Sequence, residues 1–140
     1  MVETETERTE APRGHGEHIL YVDDEPGLAR VGKRRLEALG YRVSLANSGE
    51  EALQAIVEDP TAFHAVVSDY LMPGMNGLVL AGALYESRPE LPVIILTGYI
   101  DNIGEEQVRE TGVVGLLRKP ATTVELAETL ADVLQGDARG

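Results

Sequence analysis

The sequence has no cysteine and no tryptophan, and it contains a single phenylalanine. Without cysteine the chain can form neither a disulfide nor a thiolate metal site, which is compatible with a reducing cytoplasm. No apolar run approaches the roughly 18–20 residues that a membrane helix needs. The first residues also lack the basic start and the apolar stretch of a secretory signal. These absences predict a soluble, cytoplasmic protein that does not contact a membrane.

Positive charge is scarce: the sequence has 12 Lys and Arg residues and 24 Asp and Glu residues, which gives a net charge of −12. A nucleic-acid backbone would be repelled by such a surface, so nucleic-acid binding is excluded. The one basic cluster comprises Arg30, Lys33, Arg34 and Arg35. The first three lie at helical i, i+3, i+4 spacing and share a face. That face either steers an acidic partner or is simply solvated, and the sequence leaves both interpretations open.

Residues 1–17 contain five Glu, two Arg and almost nothing apolar, which predicts a disordered acidic leader. The chain is long enough for one domain with a core of its own, predicted at residues 18–134. Residues 135–140 are predicted to form a flexible tail.

Five short apolar runs punctuate this domain, and several have little polar alternation, as expected for strands buried on both faces of a parallel sheet. The runs are His18–Val22, Arg42–Ala46, Ala65–Ser68, Pro92–Leu96 and Val113–Leu117.

Helix signals separate these runs and predict helices at Pro26–Leu39, Ser48–Glu58, Leu78–Ser87, Asp101–Glu110 and Thr123–Leu134. Pro26 suits a first helical turn, and Ser48 with Glu51 forms a capping box. Leu28, Leu36 and Leu39 are predicted to share the inward face of the first helix. The resulting (βα)₅ order predicts an α/β fold, a doubly wound parallel sheet of five strands covered by helices on both sides.

Polar residues follow four of the five strands, where parallel sheets gather their chemistry. They are Asp23 with Asp24, Asp69, Thr97 and Lys119. A lone Asp here is usually a helix cap, and Lys119 alone would be a solvated loop residue, but their joint placement favours a site. Three carboxylates repel one another unless cations lie between them. Since all-oxygen ligands favour Mg²⁺, the sequence predicts a magnesium site.

Four segments resemble the response regulator receiver domain of two-component signal transduction, and the likeness covers roughly residues 18–134. They are Tyr-Val-Asp-Asp-Glu-Pro (21–26), Ser-Asp-Tyr-Leu-Met-Pro-Gly-Met-Asn-Gly (68–77), Leu-Thr-Gly-Tyr (96–99) and Arg-Lys-Pro (118–120). The resemblance implies a flavodoxin-like strand order and a bacterial phosphorelay protein. A histidine kinase or a histidine phosphotransfer protein would supply the phosphoryl group, and the domain would catalyse its own phosphorylation without turning over a separate substrate.

By the same resemblance Asp69 is the phosphoacceptor. Asp24 binds Mg²⁺ directly, Asp23 mainly through water, and Asp69 and the backbone carbonyl of Leu71 complete the protein ligands. Lys119 pairs with Asp69 and then with the phosphoryl oxygens.

The resemblance also implies a cis peptide bond between Lys119 and Pro120, and a switch in which Thr97 moves towards the phosphoryl group. The face formed by residues 97–134 would then change for partner binding. Leu116 replaces the aromatic switch residue of many receivers, and Tyr99 either takes over that role or only packs. Because neither Leu71 nor Tyr99 can orient water, we expect slow self-dephosphorylation.

Two other classes of α/β protein compete with this interpretation. A haloacid-dehalogenase-type phosphatase would need Asp-x-Asp after the first strand, and a nucleotide-binding domain would need a Gly-rich turn there; the chain has neither. The alternative that stays open is a phosphorylation-independent pseudo-receiver, a protein-binding module. The kinase, the downstream target, a homodimer through the 101–134 face, and a stand-alone or hybrid-kinase origin are not decided by the sequence.

Overall fold

The fold is an alternating series of strands and helices. We describe it from a computed structural model, over residues 12–98 and 104–139. The strands are β1 (His18–Val22), β2 (Arg42–Ala46), β3 (Ala65–Asp69), β4 (Val93–Thr97) and β5 (Gly115–Arg118). The helices are α1 (Pro26–Ala38), α2 (Gly49–Glu58), α3 (Gly77–Ser87), α4 (Glu105–Glu110) and α5 (Thr123–Arg139). In the described ranges no helix is long and apolar enough to cross a membrane.

All strands pair in parallel in the order β2-β1-β3-β4-β5. The doubly wound five-stranded sheet predicted from the sequence is therefore confirmed. Because successive strand residues point to opposite faces, each strand contributes to two cores. One core joins the sheet to α2 and α3 through Leu20, Val66, Ile95, Ile56 and Leu84. The other joins it to α1 and α5 through Ile19, Val67, Ile94, Leu36 and Leu130.

The helix starts follow their capping chemistry. The Ser48 hydroxyl accepts from the Glu51 N–H at 3.0 Å, as a helix N-cap should, while the Glu51 carboxylate accepts from the N–H of Asn47. On α1 the prediction for one apolar position is wrong. Leu36 and Leu39 are buried, but Leu28 is 53% exposed beside a groove.

The fold extends beyond the predicted domain limits of residues 18 and 134 in both directions. Helix α5 continues to Arg139, past the predicted end at Leu134, since no proline interrupts it and one glycine within a helix costs only about 1 kcal/mol. Near the start, residues 13–16 form a strap across the end of α1, although they belong to the predicted disordered leader. The Gly14 N–H donates to the carbonyl of Leu39 at 2.6 Å, and the Gly16 N–H donates to that of Gly40 at 2.8 Å. Residues 1–11 lie outside the described part.

Candidate functional site

The carboxyl edge of the sheet brings the predicted polar residues together. Asp23 follows β1, Asp69 ends β3 and Thr97 ends β4, while Lys119 follows β5. Asp69 is opposite Leu96 in the register, and the Lys119 N–H donates to the carbonyl of Thr97 at 2.9 Å. Adjacent parallel strands therefore hold these side chains at one level of the sheet.

Three carboxylates form the acidic part of this site. Oxygens of Asp23, Asp24 and Asp69 all lie within 4.8 Å of one another. Asp23 is 3% exposed and Asp69 is 8% exposed, whereas Asp24 is half-buried. Burial raises the pKa of Asp23, and the charges of Asp69 and Asp24 raise it further. The hydrogen bond from the Glu25 N–H and the positive charge of Lys119 lower this pKa and offset part of the rise. Such a group carries its charge more readily beside a cation, so this all-oxygen donor set fits a hard divalent ion.

Asp24 does not cap the helix that follows it, which was the ordinary alternative for this residue. The N-cap position of α1 is Glu25, and no side chain bonds to the helix from there. Instead, Asp23 accepts from the Glu25 N–H at 3.0 Å through one carboxylate oxygen. The turn is thus built on Asp23, and Asp24 remains beside the other carboxylates.

The cationic part of the site is Lys119, whose Nζ lies 2.7 Å from Asp69 Oδ1. The Lys119–Pro120 peptide bond is cis, as the resemblance implied. A cavity of about 110 Å³ adjoins the pair and is lined by Asp69, Tyr70, Leu71, Thr97, Gly98 and Lys119. Thr97 is 1% exposed in its wall, and the side chain of Leu71 is 53% exposed.

The loop after Asp69 is held close to the strand end. Met72 is buried in the core, and Gly74 has a φ of +80°, which favours glycine. A Cβ on Gly77 would lie 2.6 Å from the carbonyl oxygen of Asp69, so glycine is needed for the return into α3. The Asn76 side chain caps α3 by accepting from the Val79 N–H at 2.9 Å.

Two residues beside the site escaped the sequence reasoning. Tyr21, on β1, lies two residues before Asp23, and both residues line a groove of about 280 Å³ that Lys119 also lines. Burial and the Asp23 charge raise the pKa of Tyr21 to about 12. Arg35, assigned only to the basic cluster, donates from Nη2 to the carbonyl of Ala121 at 2.6 Å. Because side chains two residues apart on an extended chain point the same way, the spacing of Tyr21 and Asp23 is a sequence signal that Tyr21 lies near the site. Nothing in the sequence indicates the partner of Arg35.

Other predicted features fall partly outside the described residues. Leu116 is half-buried and packs against the core on the α2 and α3 side. Tyr99 lies outside the described residues, as does the start of the predicted helix from Asp101. Helix α4 begins at Glu105, with Gly104 at its N-cap.

The strand order β2-β1-β3-β4-β5 is that of the flavodoxin-like α/β fold, and solved receiver domain structures have the same fold. The family model described as "Response regulator receiver domain" matches residues 19–131. The chain belongs to this family. Its members are phosphorylated on an aspartate and interact with histidine kinases and downstream effectors.

Curated relatives are longer proteins. Sensor kinase CckA of Brucella abortus (strain 2308) is 33% identical over 117 residues, which cover 84% of this chain and 12% of the kinase. Transcriptional regulatory protein GlrR of Escherichia coli (strain K12) is 34% identical over 121 residues, 86% of this chain and 27% of that protein. The chain therefore spans well under a third of either relative.

Two solved structures of similar proteins are matched over nearly their whole length. A response regulator receiver domain protein from Clostridium thermocellum superposes with a TM-score of 0.82 at 29% identity, covering 88% of this chain and 98% of that one. Response regulator TrrA from Thermotoga maritima, in complex with Mg²⁺ and BeF, gives a TM-score of 0.76 at 29% identity, with coverages of 84% and 98%.

Proposed function

We propose that the chain is a phosphorelay response regulator whose Asp69 accepts a phosphoryl group from a phosphohistidine. The observation that carries this proposal is the contact between Lys119 Nζ and Asp69 Oδ1, 2.7 Å long, beside the carboxylates of Asp23 and Asp24. The nearly buried Asp69 keeps an opening to the 110 Å³ cavity, where a phosphoryl group can approach.

The transfer exchanges one bond for another. A carboxylate oxygen of Asp69 attacks phosphorus and forms an acyl phosphate, while the N–P bond of the phosphohistidine breaks and the released imidazole nitrogen takes up a proton. Lys119 moves from the Asp69 oxygen to a phosphoryl oxygen and balances the charge that this oxygen carries. Thr97 lines the same cavity and would donate its hydroxyl to another phosphoryl oxygen.

Asp23, Asp24, Asp69 and the backbone carbonyl of Leu71 are the residues that would hold Mg²⁺. When bound, the ion neutralises charge on the phosphoryl oxygens and on the carboxylates. Support comes from the oxygen-only cluster of this chain and from the relative TrrA, which was crystallised with Mg²⁺ and BeF.

The partner that delivers the phosphoryl group is a histidine kinase or a histidine phosphotransfer protein, in keeping with the sensor kinase among the relatives. Phosphorylation would draw Thr97 inward and change the 97–134 face, which would then bind a downstream protein. Leu71 and Tyr99 offer no group to orient water, so the acyl phosphate of Asp69 is expected to be long-lived.

The test is intact-mass spectrometry after incubation with acetyl phosphate, with and without Mg²⁺, on the wild-type protein and on Asp69→Asn. We expect one added phosphoryl group on the wild type, only with Mg²⁺, and none on the variant. An adduct of equal size on Asp69→Asn would assign the phosphoryl group to another residue and refute the proposal.

A pseudo-receiver, which binds partners without being phosphorylated, is the second candidate. The arrangement of Asp23, Asp24, Asp69 and Lys119 at one edge argues against it. Failure of the wild type both to gain a phosphoryl group and to bind beryllofluoride in the presence of Mg²⁺ would favour the pseudo-receiver instead.

A further inference from the structure

Arg35 lies on the last turn of α1 and reaches across to the loop that follows β5. Its Nη2 donates to the carbonyl of Ala121 at 2.6 Å, and its Nε makes a longer contact of 3.4 Å with the Thr123 hydroxyl. A guanidinium has several donors in a fixed planar geometry, so it can hold two nearby acceptors at once. Arg35 thereby joins helix α1 to a segment 86 residues further along the chain.

The loop that Arg35 holds is short and carries Lys119. At its beginning the Lys119 N–H donates to the carbonyl of Thr97 at 2.9 Å. At its end a capping box starts α5, in which the Thr122 hydroxyl accepts from the Glu125 N–H at 3.0 Å and the Glu125 carboxylate accepts from the Thr122 N–H at 2.8 Å. Between these two anchors, the contact from Arg35 to Ala121 attaches the loop to α1.

The position of Lys119 depends on this loop, because its side chain is 38% exposed and must reach inward to Asp69, whose side chain is 10% exposed. A long flexible side chain at a half-exposed position has many rotamers, and a fixed backbone limits them. In phosphoryl transfer a displacement of about 1 Å can cost on the order of 100-fold in rate. Small movements of residues 119–121 are therefore expected to affect the chemistry at Asp69.

We propose that Arg35 is a positioning residue for the phosphorylation site, acting on Lys119 through the backbone of Ala121. This inference rests on the proposed function, since it assigns Arg35 a part in the same transfer. The neighbouring Arg34 is exposed, and its side chain forms no hydrogen bond or ion pair within residues 12–98 and 104–139. It is therefore the matched control for removing one arginine from α1.

The experiment compares wild type, Arg35→Ala, Arg35→Met and Arg34→Ala in the full chain. Arg35→Met keeps a long apolar stem for packing and serves if the alanine variant is poorly folded. The first readout is the rate of acetyl phosphate labelling at saturating Mg²⁺, and the second is the Mg²⁺ affinity by calorimetry. We expect labelling about 10-fold slower in both Arg35 variants, with Mg²⁺ affinity unchanged, and wild-type values for Arg34→Ala. Equal rates in Arg35→Met and Arg34→Ala, or a parallel loss of Mg²⁺ affinity, would overturn the inference.

Amide hydrogen exchange gives a third readout that needs no phosphorylation. Removing the Arg35 guanidinium is expected to speed exchange in residues 119–122 without affecting β3. Unchanged exchange there would overturn the inference even if the labelling rate fell. If the wild type is not labelled at all, the proposed function fails, and the exchange measurement alone decides whether Arg35 holds the loop.

Discussion

Gly32 and Tyr21 occupy one narrow space between α1 and the sheet, and the substitution Gly32→Ala tests this packing. A Cβ on Gly32 would lie 2.6 Å from the Tyr21 hydroxyl oxygen and 2.7 Å from its Cε1. Tyr21 is 7% exposed, so its ring can yield only by moving into the adjoining groove. Overpacking of this kind costs about 1–3 kcal/mol.

The opposing effect is helix propensity, which favours Ala over Gly by about 1 kcal/mol within a helix. Gly27 supplies the control on the same helix, because a Cβ there meets nothing within 4 Å. Gly27 lies in the first turn of α1, where the propensity gain is smaller than at the interior position Gly32, so the comparison cancels only part of that gain. The difference between their free energies of unfolding should then be at most the overpacking cost of about 1–3 kcal/mol.

Urea unfolding followed by circular dichroism measures this difference. With a slope of about 2 kcal/mol per M, Gly32→Ala should unfold about 0.5–1.5 M before Gly27→Ala. In a Tyr21→Val background the ring is absent, so Gly32→Ala should lose most of its cost, as a double-mutant cycle will reveal. Equal midpoints for the two alanine variants, or the same cost with and without the Tyr21 ring, would refute the reasoning.

Three further predictions concern capping and charge. Ser48→Ala should lower the free energy of unfolding by about 1 kcal/mol, since the Glu51 N–H loses its acceptor; Ser48→Asp, which restores an acceptor, should unfold like the wild type in urea. Because the raised pKa of Asp23 makes its charge unfavourable in the fold, metal-free stability should rise as the pH falls towards the ordinary pKa of 3.8. Asp23→Asn should weaken that rise in thermal melts, and an identical profile would contradict it. Burial, and then the charge of Arg42, lowers the pKa of His18, so stability should fall as the pH drops through about 6.5. Thermal melts of His18→Gln should show a smaller fall over this pH range. An unchanged slope would show that His18 is not the source of the pH dependence.

The architecture was predictable because its signals are local and periodic. Apolar runs without polar alternation identify strands buried on both faces. Pro26 and Ser48 each stand just before or at the start of a helical pattern, where these residue types favour a helix start. Once the sheet is parallel, the carboxyl ends of its strands must share an edge. The grouping of Asp23, Asp69 and Lys119 at one edge follows from that geometry and needs no knowledge of individual contacts.

The parts that could not be predicted depend on pairs of distant residues. Arg35 looks like any other member of a basic cluster until Ala121 is placed beside it, and a carbonyl oxygen has no sequence signature. Leu28 follows the helical apolar period, yet it faces a groove rather than the core. Burial at such a position is decided by which neighbouring element covers it, and the period alone does not contain that information.

The strap at residues 13–16 illustrates the same limit through glycine. Gly14 and Gly16, taken alone, suggest an unstructured leader, and Gly40 suggests only the end of a helix. In the fold these signals belong to one contact: Gly40 has a φ of +104°, and a Cβ on it would lie 2.5 Å from the carbonyl oxygen of Gly14. A Cβ on Gly14 would in turn lie 2.5 Å from the Tyr41 ring. The strap binds through backbone N–H groups, which every non-proline residue has, so low apolar content does not exclude order when glycines allow two backbones to meet.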